Sequence, residues 1–203
     1  MKKQFLIILV VASAIAVTVL FSSCGLFKQT LAVQGDATMI FNEGEVYVSV
    51  TFLDDATILK RFGPQERNPF LTPYFPMMFR RIMPFEVKII NYSDSNLEIS
   101  TQTCNLLFEG VKVSAYNKFM LQDFWERRDE ADDIHPTDHS DKISTLNKYQ
   151  MDTWETIGAK ASFSKILTFV GDSPDFGTAK MTILLRDKVD PRNEKRIEFE
   201  YKF

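Results

Sequence analysis

The chain has 203 residues, with 24 Lys and Arg against 27 Asp and Glu and a formal net charge of −3. This mildly acidic balance excludes the clustered basic surface that nucleic-acid binding needs, so no nucleic-acid partner is expected. Its 18 Phe and 45% hydrophobic content exclude a disordered chain and argue for one substantial core.

The N-terminus opens with Met1-Lys2-Lys3 and then runs apolar from Phe5 to Phe21, interrupted at Ser13 and Thr18. A charged start followed by an apolar run is the pattern of a secretory signal, and it predicts a signal-peptide helix over 1–23. A spanning helix wants roughly 20 apolar residues, so the run is short for a permanent anchor, and no other stretch of the sequence competes for that role. Leu20-Phe21-Ser22-Ser23-Cys24-Gly25 follows, with two small residues directly before a cysteine. This segment resembles the lipobox of bacterial lipoproteins, roughly Leu-(Ala/Ser)-(Gly/Ala/Ser)-Cys, with Phe21 standing where that family prefers Leu.

The resemblance implies a diacylglyceryl thioether on Cys24, cleavage just before it, and palmitate-type acylation of the new amine. One acyl chain holds a protein to a bilayer only marginally, whereas two or three hold it almost permanently. Gly25 stands where an Asp would imply retention at the inner membrane, so the resemblance implies the outer membrane of the cell envelope. Whether the protein faces the periplasm or the outside is left open.

Residues 24–35 read as a lipidated tether and 36–203 as a single domain. Thr38-Met39-Ile40-Phe41, the turn sequence Asn42-Glu43-Gly44 and the run Glu45–Leu53 predict a β-hairpin. In the second run Val46, Val48, Val50 and Phe52 alternate with polar residues, the period of a strand with one face on a core. Phe85, Val87 and Ile89 repeat that period, as do Leu97 and Ile99, the run 97–104 reading as one strand. Val111, Val113 and Ala115 follow, then the strand-like runs 163–170 and 179–185. The last run alternates to the final residue through Ile197, Phe199, Tyr201 and Phe203, which predicts a packed C-terminus.

Between about 117 and 153 this rhythm breaks. Phe119, Leu121, Phe124 and Trp125 predict a short amphipathic helix, and Ser140 is positioned to cap a second one carrying Ile143 and Leu146. Many short strands separated by turns predict a mainly β protein, an antiparallel β-sandwich with a short helical insertion. The stretch Pro84–Ile99, with its Asn91-Tyr92-Ser93-Asp94 turn, resembles a pattern of secreted immunoglobulin-like domains and implies an immunoglobulin-like sandwich. The Cys…Trp…Cys spacing of antibody domains is missing. With Cys24 lipidated, Cys104 has no disulfide partner and reads as a buried thiol.

Two segments are candidates for function. The first, Asp129–Asp141, holds both histidines, His135 and His139, among six acids. His-x₃-His on a helix suits zinc, but Pro136 argues against a continuous helix through both, so a solvated acidic loop is expected, with metal binding as the rival. An EF-hand is excluded by the spacing and the missing central Gly. The second, Asn68–Pro84, is rich in Pro, aromatic residues and Met. Phe70, Tyr74, Phe75, Met77, Met78, Phe79, Arg80 and Arg81 form a candidate contact surface if exposed, or a loop closing the sandwich if buried.

No nucleophile elbow, phosphate-cradling loop, His-Glu-x-x-His or paired-cysteine motif occurs, and the pair Asp54-Asp55 sits on an expected turn. No cofactor is expected. The sequence therefore reads as a lipid-anchored binding or structural module, not an enzyme. Its partners would be the membrane, through Cys24, and another envelope or extracellular protein. The alternative is a metal-dependent hydrolase using the His135/His139 loop.

Overall fold

The computed structural model describes residues 30–73 and 80–203. The expected signal-peptide helix, Cys24, and Tyr74, Phe75, Met77, Met78 and Phe79 lie outside the described residues. In chain order the elements are β1 (Thr38–Glu43), β2 (Val46–Phe52), α1 (Asp55–Phe62), a 3₁₀ turn (Gln65–Arg67), β3 (Arg80–Asn91), β4 (Leu97–Ser100), β5 (Asn105–Phe108), β6 (Val111–Tyr116), α2 (Lys118–Ala131), α3 (Pro136–Tyr149), β7 (Trp154–Ile157), β8 (Ser162–Asp172), β9 (Thr178–Asp187) and β10 (Glu194–Lys202). The protein is mainly β, an antiparallel sandwich with a short helical insertion between β6 and β7.

The strands join in the order β1-β2-β3-β8-β6-β5-β9-β4-β7, with β10 also paired to β9. β1-β2-β3-β8 forms one leaf, β10, β9, β4 and β7 the other, and β6 and β5 carry the sheet between them. The leaves meet through aromatic rings: Phe52 lies 4.9 Å from Phe203, and Phe85 lies 5.3 Å from Tyr201. The Tyr201 hydroxyl donates to the Val50 carbonyl at 2.7 Å, which satisfies the one polar atom its burial would strand. Alternation sets each register. Val46, Val48, Val50 and Phe52 all face this core, and a one-residue slip would expose the whole set.

Pro84 lies inside β3, where a proline normally removes a ladder bond. Here β2 ends opposite Phe85, and the Pro84 carbonyl instead accepts from Leu53 N–H at 3.0 Å. The N and O of one strand residue point to the same side, so the missing donor faces the side β2 has vacated, and pairing with β8 is untouched. β3 therefore begins at Arg80, inside what the sequence suggested was loop.

Other boundaries move for local reasons. Asp54 is a helix cap, not a turn residue: its Oδ1 accepts Thr57 N–H at 2.8 Å, and Asp55 and Lys60-Arg61 complement the dipole of α1. The run 97–104 splits at Ser100, whose Oγ accepts Gln102 N–H at 3.2 Å, a side-chain bond that competes with the ladder. Gly44, at φ 62°, makes the β1–β2 turn that a side chain would strain. Leu31 is buried in the core and Gln34 N–H donates to the Lys202 carbonyl at 2.7 Å. Packing among the described residues thus includes Leu31 and Gln34, before residue 36.

Cys104 is a buried free thiol, and burial pushes its pKa from 9.0 to about 12. The unfolded thiol ionises first as pH rises, so the stability held below about pH 9 should be lost progressively toward about 12. Urea unfolding at a series of alkaline pH values should show this decline, and Cys104→Ala should flatten it. A residual slope would remain from Tyr201, whose phenol burial also raises.

A second apolar cluster covers the outer face of the β3–β8 pair. Ile82, Ile166 and Val170 meet Leu53, Ile58 from α1, Phe70 and Leu71, Leu121 and Trp125 from α2, and Leu146 from α3. β8 is therefore buried on both faces from Ile166 to Val170. The molecule has three layers, with the helices forming the third.

Candidate functional site

The helical layer brings together both segments that the sequence singled out. α2 starts at the cap Asn117, whose Oδ1 accepts Met120 N–H at 2.9 Å. α3 starts at Pro136, where the missing N–H costs nothing because first-turn donors have no helical partner. The expected loop 129–141 is thus reduced to the residues between Ala131 and Pro136. His135 becomes the cap of α3, its Nδ1 accepting Thr137 N–H at 3.2 Å.

Asp129 is the centre of the arrangement. It is 4% exposed; its Oδ1 accepts from Lys142 Nζ at 2.6 Å and its Oδ2 lies 2.8 Å from His139 Nδ1. His139 and Lys142 are one helical turn apart on α3, so a single carboxylate on α2 engages both. Lys142 Nζ also sits 4.0 Å from the centroid of the Trp125 ring. Burial pushes the Lys142 ammonium below the usual lysine range, against the pull of Asp129, Asp132 and Glu66. Asp129 keeps the ammonium from being a lone buried charge.

The Pro-rich segment packs directly on this centre. Trp125 Nε1 donates to the Pro69 carbonyl at 2.9 Å, and Asn68, fully buried, donates to Gly63 O at 3.0 Å and accepts Phe70 N–H at 3.0 Å. Arg67 bridges from the 3₁₀ turn to Asp138 at 2.6 Å. Phe70 is fully buried between the helices and β3. Arg81 is 3% exposed, with Nη1 donating to Pro174 O at 2.6 Å and Nη2 bonded to Asp175 at 2.5 Å. The contact-surface expectation for Phe70 and Arg81 is therefore corrected: packing and internal hydrogen bonds occupy both side chains. Arg80 is exposed and donates to the Tyr116 hydroxyl at 3.3 Å.

The metal expectation for His135 and His139 meets a similar geometry. One imidazole caps a helix and the other pairs with a buried carboxylate. Among the described residues no group of three or more His, Cys, Asp or Glu is placed to hold a metal ion. Chemically, the Asp129–His139 contact assigns the Nδ1 proton and orients the ring. The centre as a whole locks α2 to α3.

Trp125 and Asp129 were named in the sequence, on the first predicted helix and among the six acids, but their pairing with Lys142 was not. Their spacing carried a signal in retrospect, since Trp125 and Asp129 are four apart on one helix and His139 and Lys142 three apart on the next. A separate apolar surface flanks the insertion. Phe119 and Met120 in the first turn of α2 are 61% and 42% exposed, and Trp154 is 49% exposed. Asn117 Nδ2 to Thr153 Oγ1 at 2.9 Å and Lys118 Nζ to Asp152 at 3.0 Å knit that turn to the strand entry carrying Trp154. No described helix is long and apolar enough to cross a membrane.

No protein-family model and no curated protein matches the chain. Among solved structures it is similar to the candidate lipoprotein YcdA of Bacillus subtilis, at 15% identity and TM-score 0.42 over 83% of this chain. The match covers 39% of the YcdA chain, so this protein spans well under half of it. It is also similar to a FixG-related protein of Vibrio parahaemolyticus, at 14% identity and TM-score 0.38, covering 79% of this chain and 96% of that one.

Proposed function

We propose that this chain is a lipid-anchored protein of the bacterial cell envelope, and that its folded part is a binding or structural module and not an enzyme. The observation that carries the reading is the lipobox-like Leu20-Phe21-Ser22-Ser23-Cys24 after a charged start and an apolar run. The fold is compatible with it: Leu31, seven residues beyond Cys24, is already in the core, so an anchor at Cys24 would hold the domain close to a bilayer. Gly25 in place of Asp supports the outer membrane. Mass spectrometry of the mature N-terminus with membrane fractionation tests this. The mature protein should begin at a lipidated Cys24, and Cys24→Ala should be neither lipidated nor cut at that bond. A Cys24→Ala protein still processed there and still membrane-bound would sink the proposal.

For the module itself, the surface best suited to a protein partner is the exposed Phe119, Met120 and Trp154 beside the helical layer. Aromatic and Met side chains give large contact area at low entropic cost. A photo-crosslinker at position 120, beside Phe119, should capture a constant envelope partner in native membranes. Phe119→Ser should abolish capture while leaving the thermal midpoint unchanged, because the side chain is exposed.

The hydrolase alternative has less support, because among the described residues no group of three or more His, Cys, Asp or Glu is placed to hold a metal ion. Metal analysis of the purified domain separates the readings. A stoichiometric metal lost on His135→Ala would favour the hydrolase.

A further inference from the structure

We infer that the loop Asp172–Gly177 faces the lipid surface and seats the Phe176 ring at the bilayer interface, an inference that rests on the lipid anchor at Cys24. Phe176 is 75% exposed, an unusual position for a large aromatic side chain with no packing partner to gain. The backbone that presents it is held from beneath. Buried Arg81 donates to Ser173 Oγ at 3.3 Å, to Pro174 O at 2.6 Å and to Asp175 at 2.5 Å. On the far side, Gly177 N–H and Phe203 O pair at 2.9 Å, and Phe203 N–H and Gly177 O at 2.8 Å. Gly177 stands at φ 124° against the Glu109 carboxylate, where an added Cβ would clash, so the loop is held closely on that side as well.

The placement of this loop relative to the anchor is what identifies the occupant. The first described residues arrive at the same end of the sandwich: Gln34 bonds the carbonyl of Lys202, which pairs with Thr178 next to the loop. From Cys24 to Leu31 the chain reaches at most about 25 Å. An anchored lipid on that leash holds this end of the domain toward the membrane and the opposite end, at Val189, away from it. Arg81 also offsets the charge of Asp175, which lowers the cost of bringing the loop to a headgroup layer.

The test uses the full-length protein, purified after processing and reconstituted in vesicles of phosphatidylethanolamine and phosphatidylglycerol carrying brominated acyl chains. Phe176→Trp is compared with Val189→Trp, an 87% exposed position at the other end of β9, roughly 30 Å away along the strand. Both are read as differences from the parent protein, whose Trp125 and Trp154 supply the background. With Cys24 lipidated by intact mass, the added signal at 176 should shift to the blue and be quenched by the brominated chains, with no such change at 189. Lipidated protein with equal responses at the two sites, or a 176 signal protected by a protein contact without quenching, overturns this inference and leaves the anchor standing. An unmodified Cys24 overturns the anchor and this inference together.

Discussion

Asp129→Ala should destabilise the protein by about 3–5 kcal/mol, the cost of leaving a buried charge without its counter-ion. Lys142 is 1% exposed and its ammonium has the Asp129 carboxylate at 2.6 Å. Removing that carboxylate leaves the cation against the Trp125 ring, whose attraction of about 2 kcal/mol or more when desolvated does not replace a counter-ion. The sign of the pH dependence follows from the lowered Lys142 pKa. A base whose folded pKa lies below its unfolded value gains stability as pH rises between the two, because the unfolded chain holds the extra proton. The deficit of Asp129→Ala relative to the parent should therefore shrink as pH is raised into the alkaline range, where Lys142 deprotonates. Taking the difference cancels the opposite contribution of Cys104. The double variant Asp129→Leu/Lys142→Met, which removes both charges and keeps apolar volume, should recover most of the loss. Thermal or urea unfolding of the two variants at neutral and alkaline pH decides the matter. A deficit independent of pH, with no recovery in the double variant, would show that Asp129 matters for shape and not for charge.

Phe70→Ala should cost about 3–5 kcal/mol, the range for deleting a fully buried phenyl ring in a site that cannot collapse. Phe70 is fully buried, its ring 5.0 Å from that of Phe62, in a cluster with Leu121, Trp125 and Leu146. It is the residue through which the Pro-rich segment enters the helical layer, so its loss loosens α2 and α3 together. The measurement also separates the two sequence expectations for that segment. A contact-surface residue would lose partner binding with an unchanged unfolding midpoint, whereas a layer residue loses stability first. Amide exchange should rise along α2 and α3 and stay low in β2 and β10, because those strands belong to the other cluster.

Much of the sandwich was legible in the sequence because one face of most strands meets water. β2 and β10 alternate cleanly for that reason, and their register follows from which residues cannot be exposed. The packed C-terminus is another such case, since Phe203 closes the alternation of β10 and is 5% exposed. The helical layer was less legible. Buried on both faces, Ile166-Leu167-Thr168-Phe169-Val170 lacks the alternation that marks a face, although such an uninterrupted run is itself the mark of a strand covered on two sides. The candidate site was less legible still. Its centre depends on α2 and α3 lying side by side, and Pro136 read as a break when it is the start of a helix.

The sequence by itself determined the strand periodicity, the position of the helical insertion, the unpaired Cys104 and the lipobox-like segment at Cys24, because each is written in neighbouring residues. Only the tertiary structure decided that Phe70 and Arg81 turn inward, that Asp129 binds Lys142 and His139, and that Phe176 stands exposed on a loop that Arg81 holds. Those outcomes depend on which distant surfaces meet, and burial, pairing and exposure are properties of that meeting and not of local chain chemistry.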